Sequence, residues 1–144
     1  MFIRGGGDGA KVSFKILLNN VIFQETWAFG CFQALDELFH VNFAYHQASQ
    51  CFVLSIWLAK SPSVATKYRA NLLIKGEDNN KLCFEGIKVS SVENVPSIDK
   101  CIKETGRISL TLQKNLAKNM SVKKQEVGAE IQEWLNVDVS IKKI

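Results

Sequence analysis

The chain has 144 residues, enough for one domain around one hydrophobic core. Its 47% apolar and 22% charged residues describe a folding globule and exclude a disordered chain. The net charge of +4 is spread along the sequence, which argues for solubility more than for direct nucleic-acid contact.

No apolar run approaches the ~20 residues of a membrane-spanning helix, so no membrane contact is expected. The opening Met1-Phe2-Ile3-Arg4 runs into Gly5-Gly6-Gly7 and shows no secretory signal pattern. Cys31, Cys51, Cys83 and Cys101 are widely spaced, and His40 and His46 fit no metal-helix motif. The expectation is therefore no metal, no cofactor, and four reduced thiols, mostly buried as small hydrophobes. That thiol state belongs to a reducing compartment, cytoplasmic or nuclear.

Residues 1–10 carry four glycines and little to pack, and read as a flexible N-terminus ahead of a single domain over 11–144. Val12, Phe14, Ile16 and Leu18 then alternate with Lys11, Ser13, Lys15 and Leu17, the period of a strand with one apolar face. Asn19-Asn20 reads as a turn, and Val21 to Phe23 as a short extended piece. Trp27 to Phe32 (WAFGCF) is dense in aromatics, with Gly30 as a bend or bulge; core packing and groove lining are both open readings.

Phe39, Val41, Phe43 and Tyr45 alternate with His40, Asn42, Ala44 and His46. The histidines fall on the wetter face, where no nucleophile and orienting carboxylate is evident in the sequence. Gln47 to Gln50 is a loop into Cys51 to Ala59, apolar on both faces and so a central strand. After a break at Lys60 to Ser63, Tyr68, Ala70, Leu72 and Ile74 share one strand face. Gly76 to Asn80 is a turn, and Leu82 and Phe84 resume the alternation, completing an antiparallel meander.

Farther on, Ile108, Leu110 and Leu112 alternate, and Gln113 to Met120 has the composition of one or two helical turns, with Leu116 and Met120 four apart. Ser121 to Glu130 reads as a surface loop. Leu135, Val137, Val139 and Ile141 alternate with Asn136, Asp138, Ser140 and Lys142, which makes a last strand with one buried and one solvated face. Seven to eight short strands with at most one short helix predict an all-β fold, an antiparallel β-sandwich. Paired charges such as Asp36-Glu37, Lys123-Lys124 and Lys142-Lys143 are too short to form catalytic or nucleic-acid motifs on their own.

Several segments together resemble the substrate-binding domain of the seven-in-absentia (sina/SIAH) ubiquitin ligases, a TRAF-like fold. They are Phe39-His40-Val41, Phe52-Val53-Leu54, Tyr68-Arg69, Leu82 to Gly86, Ser90 to Glu93, Ile108 to Asn119 and Leu135 to Ile141. The resemblance runs co-linearly over roughly residues 8–144. Phe84 stands where the family has Trp, Ser121 to Glu130 is longer than the family's loop, and the family's RING and zinc-finger cysteines and histidines are absent. A RING-type ligase activity would thus require a longer protein, and no catalytic residues are expected here.

The resemblance implies a module that binds an extended peptide of a partner protein. Its groove would lie between the first strand and the aromatic stretch, at Val12, Phe14, Ile16, Trp27, Phe29 and Cys31. It also implies a homodimer through the edge of the last strand, at Leu135, Val137, Val139 and Ile141. The alternative is a stand-alone TRAF-like scaffold or adaptor that dimerises and holds a dedicated partner without ligase activity.

Overall fold

A computed structural model describes residues 2–8, 11–21 and 28–144, with side chains described at 11–19, 21 and 30–144. The chain folds as an all-β sandwich of two sheets, six- and five-stranded. The first elements are β1 (Phe2–Asp8), β2 (Lys11–Leu17), the single helical turn α1 (Leu18–Val21), β3 (Ala28–Ala34), β4 (Glu37–His46) and β5 (Cys51–Leu58). A short helix α2 (Pro62–Ala65) precedes β6 (Tyr68–Lys75), β7 (Lys81–Lys88) and β8 (Ser90–Ser91). A 3₁₀ turn (Val92–Asn94) and α3 (Ile98–Lys103) lead to β9 (Leu110–Gln113), α4 (Lys114–Met120), β10 (Val122–Lys124) and β11 (Gln132–Lys143).

The first sheet has the order β1-β2-β11-β6-β7, with β10 added to the start of β11; the second has β3-β4-β5, with β8 and β9 along β5. Every long pairing is antiparallel, and the two-residue β5–β8 contact is parallel. The core lies between the inward faces. Phe14, Val137, Ile74 and Leu82 form one cross-strand row of the first sheet, and Phe32, Phe39 and Leu58 one row of the second. Phe14 meets Phe32 edge-on with ring centres 5.9 Å apart, joining the two sheets. The alternation read from the sequence is thus the inward half of each strand.

Strands and helices both exceed the expected number. The extra strands are short pieces such as β8 and β10, too brief to leave a periodic signal. Phe2–Asp8, expected as a flexible terminus, pairs along β2 from Phe2↔Ile16 to Asp8↔Lys11, because glycine-rich backbone can still complete a ladder. Val21 belongs to a helical turn and not to an extended piece. In α4 the buried residues are Ala117 and Met120, whereas Leu116 is exposed.

Two hairpins carry left-handed backbone. The β6–β7 turn holds Asp78 (φ 56°) and Asn79 (φ 65°), residue types that accept this conformation. The β3–β4 turn holds Leu35 (φ 50°) and Asp36 (φ 61°), and leucine is a poor choice there. Gly86 (φ 71°) makes a bulge in β7, and its amide donates to Asn71 Oδ1 at 2.9 Å. Among the described residues no helix is long and apolar enough to cross a membrane.

Candidate functional site

The β2 part of the groove expected from the sequence falls in the core. β2 is not an edge strand: β1 pairs on one side and β11 on the other. Val12, Phe14 and Ile16 point into the core and are essentially inaccessible, so they cannot line a peptide groove. Their strict alternation was a core signal, since the same period serves any half-buried strand. Trp27 and the side chain of Phe29 lie outside the described residues. Cys31 is exposed on β3, on the face away from the core and opposite His40.

The dimer edge is likewise corrected. β11 pairs with β2 over Trp134 to Ser140 and with β6 over Asn136 to Lys143, so it is the centre of its sheet. Leu135, Val137 and Val139 are fully buried and Ile141 nearly so. The last strand of the chain is not the last strand of the sheet, because β2 returns to flank it from more than a hundred residues upstream.

Among the described strands the edges are β1, β7 and the short β10 in one sheet, and β3, with the short β8 and β9 at the far side, in the other. β7 carries Lys81, Glu85 and Lys88 and the Gly86 bulge, features that blunt strand addition. β3 (AFGCFQA) carries no charged residue; among the described residues its one hydrogen-bonded partner strand is β4, and β1 of the other sheet approaches it without pairing. At its end stand the strained Leu35 and, on the next strand, Leu38, which are 43% and 41% exposed. Two large apolar side chains exposed together at a hairpin are a surface feature that core formation does not explain. Positive φ at a leucine has no signature in residue type or spacing, so only the folded turn reveals it.

The outward face of β4 and β5 is polar and partly closed. His40 stacks on Trp57 with ring centres 4.0 Å apart, and Trp57 Nε1 donates to the buried Asn42 Oδ1 at 2.8 Å. Burial pushes the His40 imidazole below its ordinary pKa. His46 does gain the neighbours that the sequence did not reveal. Its Nδ1 lies 2.7 Å from Ser49 Oγ and its Nε2 lies 3.3 Å from Asp99 Oδ1. The Ser49 amide also donates to Nδ1 at 3.3 Å, so the imidazole closes the β4–β5 turn. Asp99 is 77% exposed, where solvent weakens its hold on the ring. The trio thus links the β4–β5 turn to α3 at the surface.

All four thiols are free, but the expectation that most are buried fails. Cys31 and Cys83 are exposed and Cys51 is intermediate; Cys101 alone is buried, where loss of solvation pushes its pKa up to about 11. Among the described residues no three of His, Cys, Asp and Glu gather as a metal-ligand set.

The most enclosed carboxylate among the described residues is Asp138, on the outward face of β11. Its Oδ1 accepts from Ser13 Oγ at 2.6 Å, and its Oδ2 lies 2.8 Å from Lys75 Nζ and 3.5 Å from Lys11 Nζ. Burial raises its pKa, but the bonds from Lys75 and Ser13 and the two ammonium charges outweigh this and hold it below the ordinary carboxylate value. This cluster clips β2, β11 and β6 together from outside. No protein-family model matches the chain, and no curated protein matches it significantly.

Proposed function

We propose that this domain is a protein-interaction module that captures an extended segment of a partner by adding it as a strand to β3. The observation that carries the reading is the contrast between edges: β3 is seven residues long, uncharged and hydrogen-bonded on one side among the described residues, whereas β1 and β7 carry charged residues and register shifts and the uncharged β9 has only four residues. Backbone groups on an open edge supply affinity, and alternate side-chain contacts supply selectivity. Leu35 and Leu38 lie where the apolar end of such a segment would rest. The resemblance to the substrate-binding domain of sina-type ubiquitin ligases supports the same class of function, with substrate selection as the role if a RING accompanies it in a longer protein. Four free thiols support a reducing compartment, cytoplasm or nucleus.

The test is selection of binding peptides from a displayed random library, followed by amide hydrogen exchange. Bound peptide is expected to protect amides of β3. Gly30→Pro and Cys31→Pro divide the claim, because adjacent amides of an antiparallel strand point to opposite sides. One variant should lose peptide binding while keeping its melting temperature, and the other should lose stability through the β3–β4 ladder. Protection confined to other strands would end the reading. A scaffold that only self-associates would instead show the same β3 protection with rising protein concentration and no selected peptide.

A further inference from the structure

The outward face of the six-stranded sheet is crossed by rows of like charge. Cross-strand register sets Lys15, Asn136, Lys75 and Lys81 in one row over β2, β11, β6 and β7. It sets Lys142, Arg69 and Lys88 in another over β11, β6 and β7. Lys75 therefore stands directly opposite Lys81, and Arg69 stands between Lys142 and Lys88. Like charges directly opposite each other destabilise a sheet.

Internal countercharge is scarce. Asp138 answers Lys75 and Lys11 but is itself enclosed by them. Lys15, Lys81, Lys88 and Lys142 have no carboxylate partner among the described residues, and Arg69 spends its Nη1 on the carbonyls of Thr66 and Tyr68. Glu85 on β7 makes no ion pair among the described residues. The face keeps its repulsion, and an anionic partner would relieve it.

We propose that this face binds an acidic segment of a partner protein, separately from β3, which belongs to the other sheet. The two rows lie six residues apart along β11, about 20 Å, and the four strands span about 15 Å. Side chains on one side of an extended peptide repeat every ~6.8 Å, the same step as successive outward positions of these strands. At one corner Trp134 and Val122 line a cleft of about 280 Å³ with Lys15 and Lys124 on its walls. That cleft suits one apolar side chain set among carboxylates. A nucleic acid is the poorer occupant: Trp134 is the one aromatic on this face among the described residues, where a single strand wants successive stacking platforms. Lysine also offers point charge without the bidentate fork that reads bases.

Fluorescence anisotropy of a short labelled peptide of alternating Glu and Ser with one central Phe tests the proposal on the whole chain. The peptide should bind, weaken steeply with salt, and lose about tenfold in affinity to Lys15→Glu/Lys81→Glu. Lys103→Glu, on α3, should change affinity less than about twofold. Lys81→Glu alone should raise the melting temperature, because it turns a repelling cross-strand pair into an attractive one; this also guards against a fold defect. Equal affinity for the Gln analogue of the peptide, or no loss in the double variant, would overturn the proposal. So would a thymidine oligonucleotide of equal charge that binds more tightly than the peptide. The β3 proline variant that keeps its stability should bind the acidic peptide normally, which separates failure here from failure at β3.

Discussion

Leu35 shows how a single residue can mark a surface. Its φ of 50° crowds Cβ against the following carbonyl, and its side chain gains little burial in return. Asparagine tolerates this conformation, so Leu35→Asn should stabilise the domain by about 0.5 to 1 kcal/mol in urea unfolding, while weakening any partner that uses the Leu35 side chain. A loss of stability would mean that Leu35 packs in a way its exposure does not reveal.

Asp138 is the opposite case, a polar residue at an apparently solvated position that is buried by its partners. Its folded pKa is depressed, so its contribution to stability is fully present above the ordinary value near pH 4 and is lost as pH falls through the lowered one. Asp138→Asn should cost about 1 to 2 kcal/mol near neutral pH, an amount tempered by the partial exposure of both lysines. The gap between wild type and variant should close in acid. Urea melts at neutral pH and at about pH 2.5 check this; a gap independent of pH would assign Asp138 a packing role only.

At the scale of elements, position in the chain and position in the sheet part company. Residues 132–143 form the last strand in chain order yet run through the middle of their sheet, with Ser140 opposite Lys11 on one side and Asn71 on the other. Ser140→Pro should therefore cost about 3 kcal/mol of folding stability, because proline removes a ladder donor where no edge can tolerate it. Light scattering together with guanidinium melts distinguishes this from loss of an edge interface, which would change association and leave the midpoint in place. β3 presents the converse: placed early in the chain and rich in aromatics, it is an edge, and the longest one without a charged residue. The aromatic density of WAFGCF is explained in part by Phe32, which packs on Phe14 and Phe39 in the core.

For the molecule as a whole, period-two alternation identified nearly every long strand and its buried side, since side-chain direction in a strand depends only on residue parity. The turn at Gly76 to Asn80, the central apolar strand β5 and the sandwich class were legible for the same local reason. Which strands become neighbours was not, because pairing β2 with β11 joins residues more than a hundred apart and leaves no local trace. That pairing decides which strands are edges, and so it removes Val12, Phe14 and Ile16 from the expected groove and Leu135 to Ile141 from the supposed dimer edge. It also gathers lysines that look like isolated solvated charges, at 15, 75, 81, 88 and 142, onto one face. Which side of each strand is apolar follows from neighbouring residues alone and could be read before folding. Which backbone edges lack a partner, and where charge accumulates, depends on strands brought together from distant parts of the chain, so both emerge with the fold.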